Sequence, residues 1–205
     1  MLLLVSGATR YPRSADVGHL IVPRQWNDPD SLDLQSGRWG MDSGCFVGFD
    51  PGAYMRMLYA YRRKDGCLFV VVPDAVCDAA ETLYLWRFWR PVVLALGHTP
   101  AFVAQNGLTP DRVPWGEFGT LFVGGDDAYK DGPEARTLCG LAKARGKWVH
   151  WGRVNGKRRY ELAKKVGADS IDGTGFSMAP DTNIPLVGQW DSEIQRQPEL
   201  GDAVP

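Results

Sequence analysis

Short apolar runs alternate along this chain with segments whose apolar residues recur at helical spacing. The apolar runs lie at residues 2–5, 19–22, 67–72, 101–104, 120–123, 147–151 and 169–171. The helical segments lie at about 51–63, 79–90, 110–117, 133–145 and 156–166. Apolar runs without in/out alternation are typical of parallel strands covered on both faces. Regular strand–helix alternation predicts an α/β fold with a parallel sheet and outer helices.

The number of runs narrows the choice of architecture. About seven strands favour a compact or incomplete (β/α)8 TIM-like barrel, with an open doubly wound sheet as the alternative. At 205 residues and 44% hydrophobic content the chain is long enough for one well-filled core. We therefore predict a single domain over residues 1–178. Residues 179–205 are rich in Pro, Asp, Gln and Glu, which predicts a polar C-terminal tail that wraps the surface or is disordered, with Ile184, Leu186 and Trp190 as anchors.

Two acidic residues are predicted to begin helices. Asp50 precedes Pro51 at the start of the 51–63 segment, and Asp78 precedes the 79–90 segment. Asp is a favoured N-cap residue and Pro fits the first helical turn. After Pro91, the apolar stretch 92–96 fits either a helix or a strand.

Charge and cysteine content limit the class of protein. A net charge of −1 argues against holding nucleic acid by bulk charge. The four cysteines show no CxxC or Cys/His ligand spacing, which predicts reduced, mostly buried thiols in a cytoplasmic protein without a structural zinc or other cofactor. The apolar start, residues 1–5, is too short for a signal peptide or a membrane span.

A local basic patch is compatible with this charge balance. Lys157, Arg158 and Arg159 lie together at the start of one predicted helix. They are the candidate nucleic-acid contacts, and the alternative is that they form the solvated outer face of a barrel helix.

Polar residues follow the apolar runs at the positions where strands end. They are Asp42-Ser43-Gly44, Asp74, Gln105, Gly124-Gly125, His150 and Asp172. In a parallel barrel these ends all lie on the same side, where active sites are built. Each of these residues also occurs in ordinary turns. Asp78 is the better N-cap for the helix that follows, so Asp74 is left free to face the mouth of the barrel. Convergent carboxylates at one face of a barrel are what a glycosyl-transfer site requires.

Five of these strand ends resemble the tRNA-guanine transglycosylases in order and placement. The similar segments are Asp42-Ser43-Gly44-Cys45-Phe46, Val71-Val72-Pro73-Asp74, Phe102 to Gly107, Leu121 to Gly125 and Gly167 to Gly173. The resemblance spans residues 40–177. The chain lacks the CxCxxC…H zinc site of the full-length tRNA enzymes and so looks closer to the short deazapurine-in-DNA branch of phages and bacteria. It also has Cys45-Phe46-Val47 where the family has Gly-Phe-Gln.

The resemblance implies a base-exchange reaction. Asp172 would be the nucleophile that attacks C1′ of the nucleotide, and Asp42 the general acid/base. Asp74 would accept the N1–H and N2 amino donors of guanine, while a backbone N–H of Gly124 or Gly125 donates to O6.

The same resemblance implies the remaining contacts and partners. Gln105, Ser43 and Gly44 would complete the base site. From its place at a strand end, His150 either lines the same pocket or is a hydrogen-bonded structural residue. The ligands would be guanine or a 7-deazaguanine and a flipped-out nucleotide of DNA, or alternatively of tRNA. A homodimer or a partner protein is compatible with the sequence, and no membrane is implied.

Two other classes of function fit the same strand-end residues. A non-catalytic barrel that binds nucleobases or nucleic acid would keep the pocket without forming a covalent adduct. A hydrolase of small glycosides would release a free base or sugar without exchange.

Overall fold

Eight parallel strands close into a barrel in the computed structural model, which describes residues 1–7, 10–11, 14–24, 38–62 and 64–196. The strands are β1 (Leu2–Ser6), β2 (Val17–Ile21), β3 (Trp39–Met41), β4 (Cys67–Val71), β5 (Pro100–Ala104), β6 (Thr120–Val123), β7 (Trp148–Trp151) and β8 (Ser170–Asp172). Each strand pairs with the next along the chain, and β8 pairs with β1 through Leu3 and Ile171. The fold is therefore a closed (β/α)8 TIM-like barrel and not an open or incomplete sheet.

Helices flank the barrel. They are α1 (Pro51–Tyr61), α2 (Ala79–Ala95), α3 (Asp127–Asp131), α4 (Pro133–Ala144), α5 (Lys157–Lys165), α6 (Thr174–Met178) and α7 (Pro180–Arg196), with a 3-10 turn at Cys45–Val47. The Asp50 side chain accepts from the Ala53 N–H, and Asp78 accepts from the N–H groups of Ala80 and Glu81. Both predicted N-caps are thus confirmed. Among the described residues, none of the helices combines the length and apolarity needed to cross a bilayer.

Two local predictions differ from the structure, and a third, left open between helix and strand, is resolved by it. The eighth strand, β3, was missed because it is only three residues long and has Gly40 at its centre. Residues 110–117 form turns instead of a helix, since Pro110, Pro114 and Gly116 interrupt any helical hydrogen bonding. The ambiguous stretch after Pro91 continues α2 to Ala95.

The predicted polar tail is helical over much of its length. Helix α7 runs from Pro180 to Arg196. The Trp190 ring lies 5.5 Å from the Tyr160 ring and 6.4 Å from the Phe176 ring, measured between centroids. Ile184 and Val187 pack against the same core. These contacts hold the segment against α5 and α6, while residues 197–205 lie outside the described part.

Two apolar cores explain why the strands are hydrophobic throughout. Alternate strand residues point into the barrel, where they form one cluster: Leu2, Leu4, Leu20, Phe69, Val71, Ala101, Val103 and Phe122. The intervening residues point outward and pack under the helices in a second, larger cluster. The inner positions at the C-terminal ends are polar, which places the candidate site above a packed floor.

Close strand contact predicts that Gly18 is needed for barrel closure. A Cβ at Gly18 would lie 2.1 Å from the Arg38 carbonyl oxygen, whereas a Cβ at Gly140, on the exposed face of α4, would meet nothing within 4 Å. We expect Gly18→Ala to lower the free energy of unfolding by about 1–3 kcal/mol through overpacking. Gly140→Ala should raise it by up to about 1 kcal/mol through helix propensity. Urea unfolding of both variants measures the two changes in stability. Equal changes would contradict the prediction that Gly18 is needed for close packing of the strands.

Candidate active site

The structure brings the predicted carboxylates together at the C-terminal end of the barrel. Asp42 directly follows β3, Asp74 follows β4 and Asp172 ends β8. Parallel strands place all three at the same end of the barrel, the opening, and the Ser43 hydroxyl lies 3.5 Å from Asp42 Oδ1 and 3.3 Å from Asp74 Oδ1. The predicted convergence of Asp42 and Asp172 on one face is confirmed.

Asp172 is held by donors on both carboxylate oxygens. Oδ2 lies 3.0 Å from Nε2 of His150, and Oδ1 accepts from the Arg153 N–H at 2.9 Å. Burial alone would raise the pKa of Asp172, but the hydrogen bond from His150 opposes it, with help from the Arg153 N–H and the Lys130 charge, and lowers the pKa overall. The pKa of Asp172 is therefore below its ordinary value, and the group is ionised at neutral pH.

His150 positions Asp172 instead of lining the pocket. The ring is fully buried between Phe69 and Phe122, whose centroids lie 5.1 and 4.6 Å away. Because the imidazole has no exposure and both ring nitrogens have partners, the structure agrees with the structural alternative for His150 and not with a place in the substrate site. The imidazole supports the carboxylate above it.

A chain of donors below His150 fixes its tautomer. Trp148 Nε1 donates to Ser170 Oγ at 2.8 Å, and Ser170 Oγ lies 2.8 Å from Nδ1 of His150. Since Ser170 already accepts from the indole, its hydroxyl proton is free to point at Nδ1, and Nε2 then carries the proton given to Asp172. With this tautomer, the indole N–H of Trp148, the hydroxyl of Ser170 and both ring nitrogens of His150 have hydrogen-bond partners.

Asp42 lies in a different environment from Asp172. Its Oδ1 accepts from the Gly44 N–H at 2.8 Å and lies 3.5 Å from the Ser43 hydroxyl. Burial raises the pKa of Asp42, the Gly44 N–H opposes this, and the charge of Asp172 adds to it. Gly44 adopts φ of 76°, the left-handed conformation that turns its N–H back toward the carboxylate and that glycine adopts without strain.

Asp74 is anchored but keeps capacity for a ligand. Its Oδ2 accepts from Gln105 Nε2 at 2.6 Å, its Oδ1 accepts from Ser43 at 3.3 Å, and its N–H donates to the Cys45 sulfur. Burial, and then the charge of Asp42, raise the pKa of Asp74 to about 6. A carboxylate has about four lone-pair sites, so two further donors can still be accepted.

Gln105 joins three strand ends. Its Oε1 accepts from the Cys77 N–H at 2.9 Å and the Gly125 N–H at 2.8 Å, while Nε2 donates to Asp74. The residue is only 2% exposed. The amide was predicted to contact the base, but its acceptor and one donor are engaged within the protein, so its role here is to fix Asp74 and the neighbouring loops.

The N–H groups of Gly124 and Gly125, which were predicted to donate to O6 of guanine, also have partners within the protein. The Gly124 N–H donates to the Ala104 carbonyl at 3.0 Å, and the Gly125 N–H donates to Gln105. A Cβ at Gly124 would lie 2.7 Å from Gln105 Nε2 and 2.8 Å from a methyl carbon of Val103. Glycine is thus required here for packing against Gln105, and neither N–H faces the opening as a free donor.

Lys130 was missed at the sequence level because a lysine in a short helix looks solvated. It is 1% exposed, and its Nζ donates to the Gly152 carbonyl at 2.5 Å. Burial, with the Arg153 charge added to it and the Asp172 charge opposing both, lowers the pKa of Lys130 to about 7. An amine that is partly protonated at neutral pH therefore lies behind the carboxylate that ends β8.

Arg153 and Phe46 form the rim beside Asp172. The guanidinium of Arg153 donates to the Gly125 carbonyl oxygen, and its Cζ lies 4.5 Å from the centroid of the Phe46 ring. Phe46 is 63% exposed, so an aromatic face borders the opening.

The predicted basic patch on α5 is paired with carboxylates. Lys157 contacts Glu193 at 2.6 Å, Arg158 contacts Asp131 at 3.0 Å, and Arg159 pairs with Asp127. These pairs connect α5 with α7 and α3. The three cations therefore already serve contacts within the protein, and their binding to nucleic acid stays a prediction.

The remaining polar clusters do not add a metal-binding group. Within residues 1–7, 10–11, 14–24, 38–62 and 64–196, no three His, Cys, Asp or Glu side chains are arranged to hold an ion. All four cysteines are free thiols. Only Cys139 among them is fully buried and Cys77 is exposed, which corrects the expectation of mostly buried thiols.

Comparisons with known proteins leave the geometry as the basis for function. Neither a scan against protein-family models nor a search of curated proteins found a match to this sequence.

The hydrogen bonds of Gln105 predict a cost for removing them. Gln105→Met keeps the approximate volume but leaves the Cys77 and Gly125 N–H groups without their acceptor. We expect the free energy of unfolding to fall by about 1–3 kcal/mol for each N–H that stays unsatisfied. Denaturant titration measures the loss, and the same substitution at an exposed position of α7, Gln189→Met, is the control that should stay close to wild-type stability. Unchanged stability in Gln105→Met would show that the loops do not depend on this side chain.

Proposed function

We propose that this protein is a base-exchange transglycosylase that replaces guanine in a polynucleotide, DNA rather than tRNA, with a 7-deazaguanine. The main supporting observation is that Asp42 and Asp172 share one opening while their surroundings shift their pKa values in opposite directions. Two carboxyl groups whose pKa values are shifted apart can act one as the acid and the other as the nucleophile. The strand-end resemblance to guanine transglycosylases supports the choice of reaction.

In the first half-reaction Asp172 would be the nucleophile. Its ionised carboxylate attacks C1′ as the bond from C1′ to N9 of guanine breaks, which leaves a covalent glycosyl-enzyme. Protonated Asp42 gives its proton to the departing base, so that guanine leaves neutral. The raised pKa of Asp42 favours the protonated form needed for this step.

In the second half-reaction the roles reverse. The Asp42 carboxylate removes the proton from N9 of the incoming 7-deazaguanine, and that nitrogen attacks C1′ as the bond to Asp172 breaks. Two inversions at C1′ retain its configuration. Asp42 ends protonated and Asp172 ionised, as they began.

Base recognition is assigned to Asp74. With Gln105 and Ser43 holding one lone pair on each oxygen, the carboxylate can accept the N1–H and the N2 amino group of guanine together. Adenine presents only one donor on that edge, so this contact favours guanine and its 7-deaza analogues. The target nucleotide must be unstacked to reach the site.

Replacement of the nucleophile tests the reaction. Asp172→Asn keeps the shape but removes the attacking charge, so exchange should fall by about 10³-fold or more while base binding remains. Asp169→Asn is the matched control, because Asp169 pairs with Lys143 before β8 begins, at the opposite end of the strand. Release of labelled guanine from DNA and from tRNA, with a 7-deazaguanine present, measures exchange, and denaturing gels detect the adduct.

Each alternative outcome points to another function. An adduct that survives in Asp172→Asn but disappears in Asp169→Asn would move the nucleophile. Base binding without an adduct or exchange in the wild type would indicate a binding barrel. Release of free base or sugar without incorporation would indicate a glycoside hydrolase.

The pKa of Asp74 predicts a pH dependence of base binding. The carboxylate must be ionised to accept both guanine donors, and its pKa is raised to about 6. Guanine affinity should therefore be present above this pH and fall by about tenfold for each pH unit below it. Calorimetry between about pH 5 and 8 measures the effect, with Asp74→Asn as a control of low affinity at every pH. An affinity that does not change over this range would remove Asp74 from base recognition.

A further inference from the structure

The first residue after Gly152, Arg153, has an unusual backbone. Its φ is +60°, in the left-handed region that residues other than glycine rarely adopt. In this conformation its N–H donates to Asp172 Oδ1 at 2.9 Å, and its carbonyl accepts from Arg159 Nη1 at 3.3 Å. The surrounding hydrogen bonds therefore keep Arg153 beside the proposed nucleophile.

The side chain of Arg153 reaches across the rim. Its guanidinium donates to the Gly125 carbonyl after β6 and lies over the Phe46 ring after β3. One residue thus connects the loops that follow β3, β6 and β7, next to the carboxylate that ends β8.

The ionic contacts of Arg153 differ from those of the cations on α5. In the described part of the chain no carboxylate lies within salt-bridge distance of Arg153, in contrast to Lys157, Arg158 and Arg159. The nearby acidic residues are engaged elsewhere, because Asp126 caps α3 and Asp127 pairs with Arg159. A guanidinium has five N–H donors, and Gly125 accepts from one of its nitrogens, so donors remain for an anion.

We propose that the Arg153 guanidinium binds a backbone phosphate of the polynucleotide at the target nucleotide. This inference rests on the proposed function. A nucleotide whose C1′ lies at Asp172 places its own phosphates one sugar away, on the rim that Arg153 occupies. The planar guanidinium matches the oxygens of a phosphate. The site would thereby favour a polynucleotide over a free nucleoside.

The paired cations of α5 offer a weaker alternative. For Arg158 to bind phosphate, it would have to leave Asp131, and for Lys157 to do so, it would have to leave Glu193. Arg153 would lose only a carbonyl contact. It also lies closer to the chemistry, since its own N–H touches Asp172.

Two matched variants test the proposal. Arg153→Gln removes the charge and keeps the N–H that binds Asp172, and Arg158→Gln removes a cation whose side chain is 77% exposed on α5. Binding of single-stranded DNA and RNA oligonucleotides of one sequence with a single guanine is measured at several salt concentrations, beside the affinity for free guanine.

The expected result is specific to Arg153. Arg153→Gln should weaken oligonucleotide binding by about tenfold and lower the slope of log K against log salt by about 1, with guanine affinity unchanged. Arg153→Lys should restore the slope because it keeps the charge. Arg158→Gln should match the wild type. Arg153→Asn, which tolerates the left-handed backbone, replaces Arg153→Gln if thermal unfolding shows that the latter is misfolded.

Other outcomes would overturn the proposal. Wild-type affinity and slope in Arg153→Gln, or an equal loss in Arg158→Gln, would move the phosphate contact elsewhere. A wild type that binds neither oligonucleotide would also refute it. If oligonucleotide binding depends on Arg153 but no exchange occurs, the phosphate contact stands and the transglycosylase function fails.

Discussion

The closed barrel depends on how it accommodates three carboxylates crowded into one opening. Parallel strands send all their C-terminal ends to the same side, so Asp42, Asp74 and Asp172 cannot lie apart. Buried carboxylates without donors would be strongly destabilising or would take up protons. Asp172 therefore has two donors, Asp42 and Asp74 have one each from Gly44 and Gln105, and the Ser43 hydroxyl lies within reach of both Asp42 and Asp74.

The carboxylates have different hydrogen-bond donors, and these differences give chemically identical side chains different pKa values. Asp172 receives an imidazole, a main-chain N–H and the charge of Lys130, which together lower its pKa. Burial and then the charge of Asp172 raise the pKa of Asp42, and its one short hydrogen bond, from the Gly44 N–H, only partly opposes them. A buried interior strengthens such polar interactions, because no solvent competes for the donors.

The sequence predicts most of the strands and the position of the site, but not the hydrogen-bond partners of the site residues. Apolar runs reveal strands because both strand faces are covered, and the shared direction of the strand ends predicts that Asp42 and Asp172 converge. The three-residue β3 gives too short an apolar run to be found in this way. The polar composition of α7 hides its helical form, although Ile184 and Trp190 were expected as its anchors. The partners of each carboxylate are also hidden, since Gln105 and His150 act across 31 and 22 residues. Such contacts depend on strand register, which no local pattern reports.

The positive charges at the opening complete the electrostatic balance. A polyanion that approached three carboxylates with no neighbouring cation would be repelled, and a chain of net charge −1 offers no general attraction. Lys130 and Arg153 lie where this repulsion would be greatest, one behind Asp172 and one beside it. Both bond to main-chain carbonyls, and among the described residues no carboxylate lies within salt-bridge distance of Arg153. The cations whose N–H and charge help to keep Asp172 ionised would therefore also make the opening tolerable to a phosphate backbone.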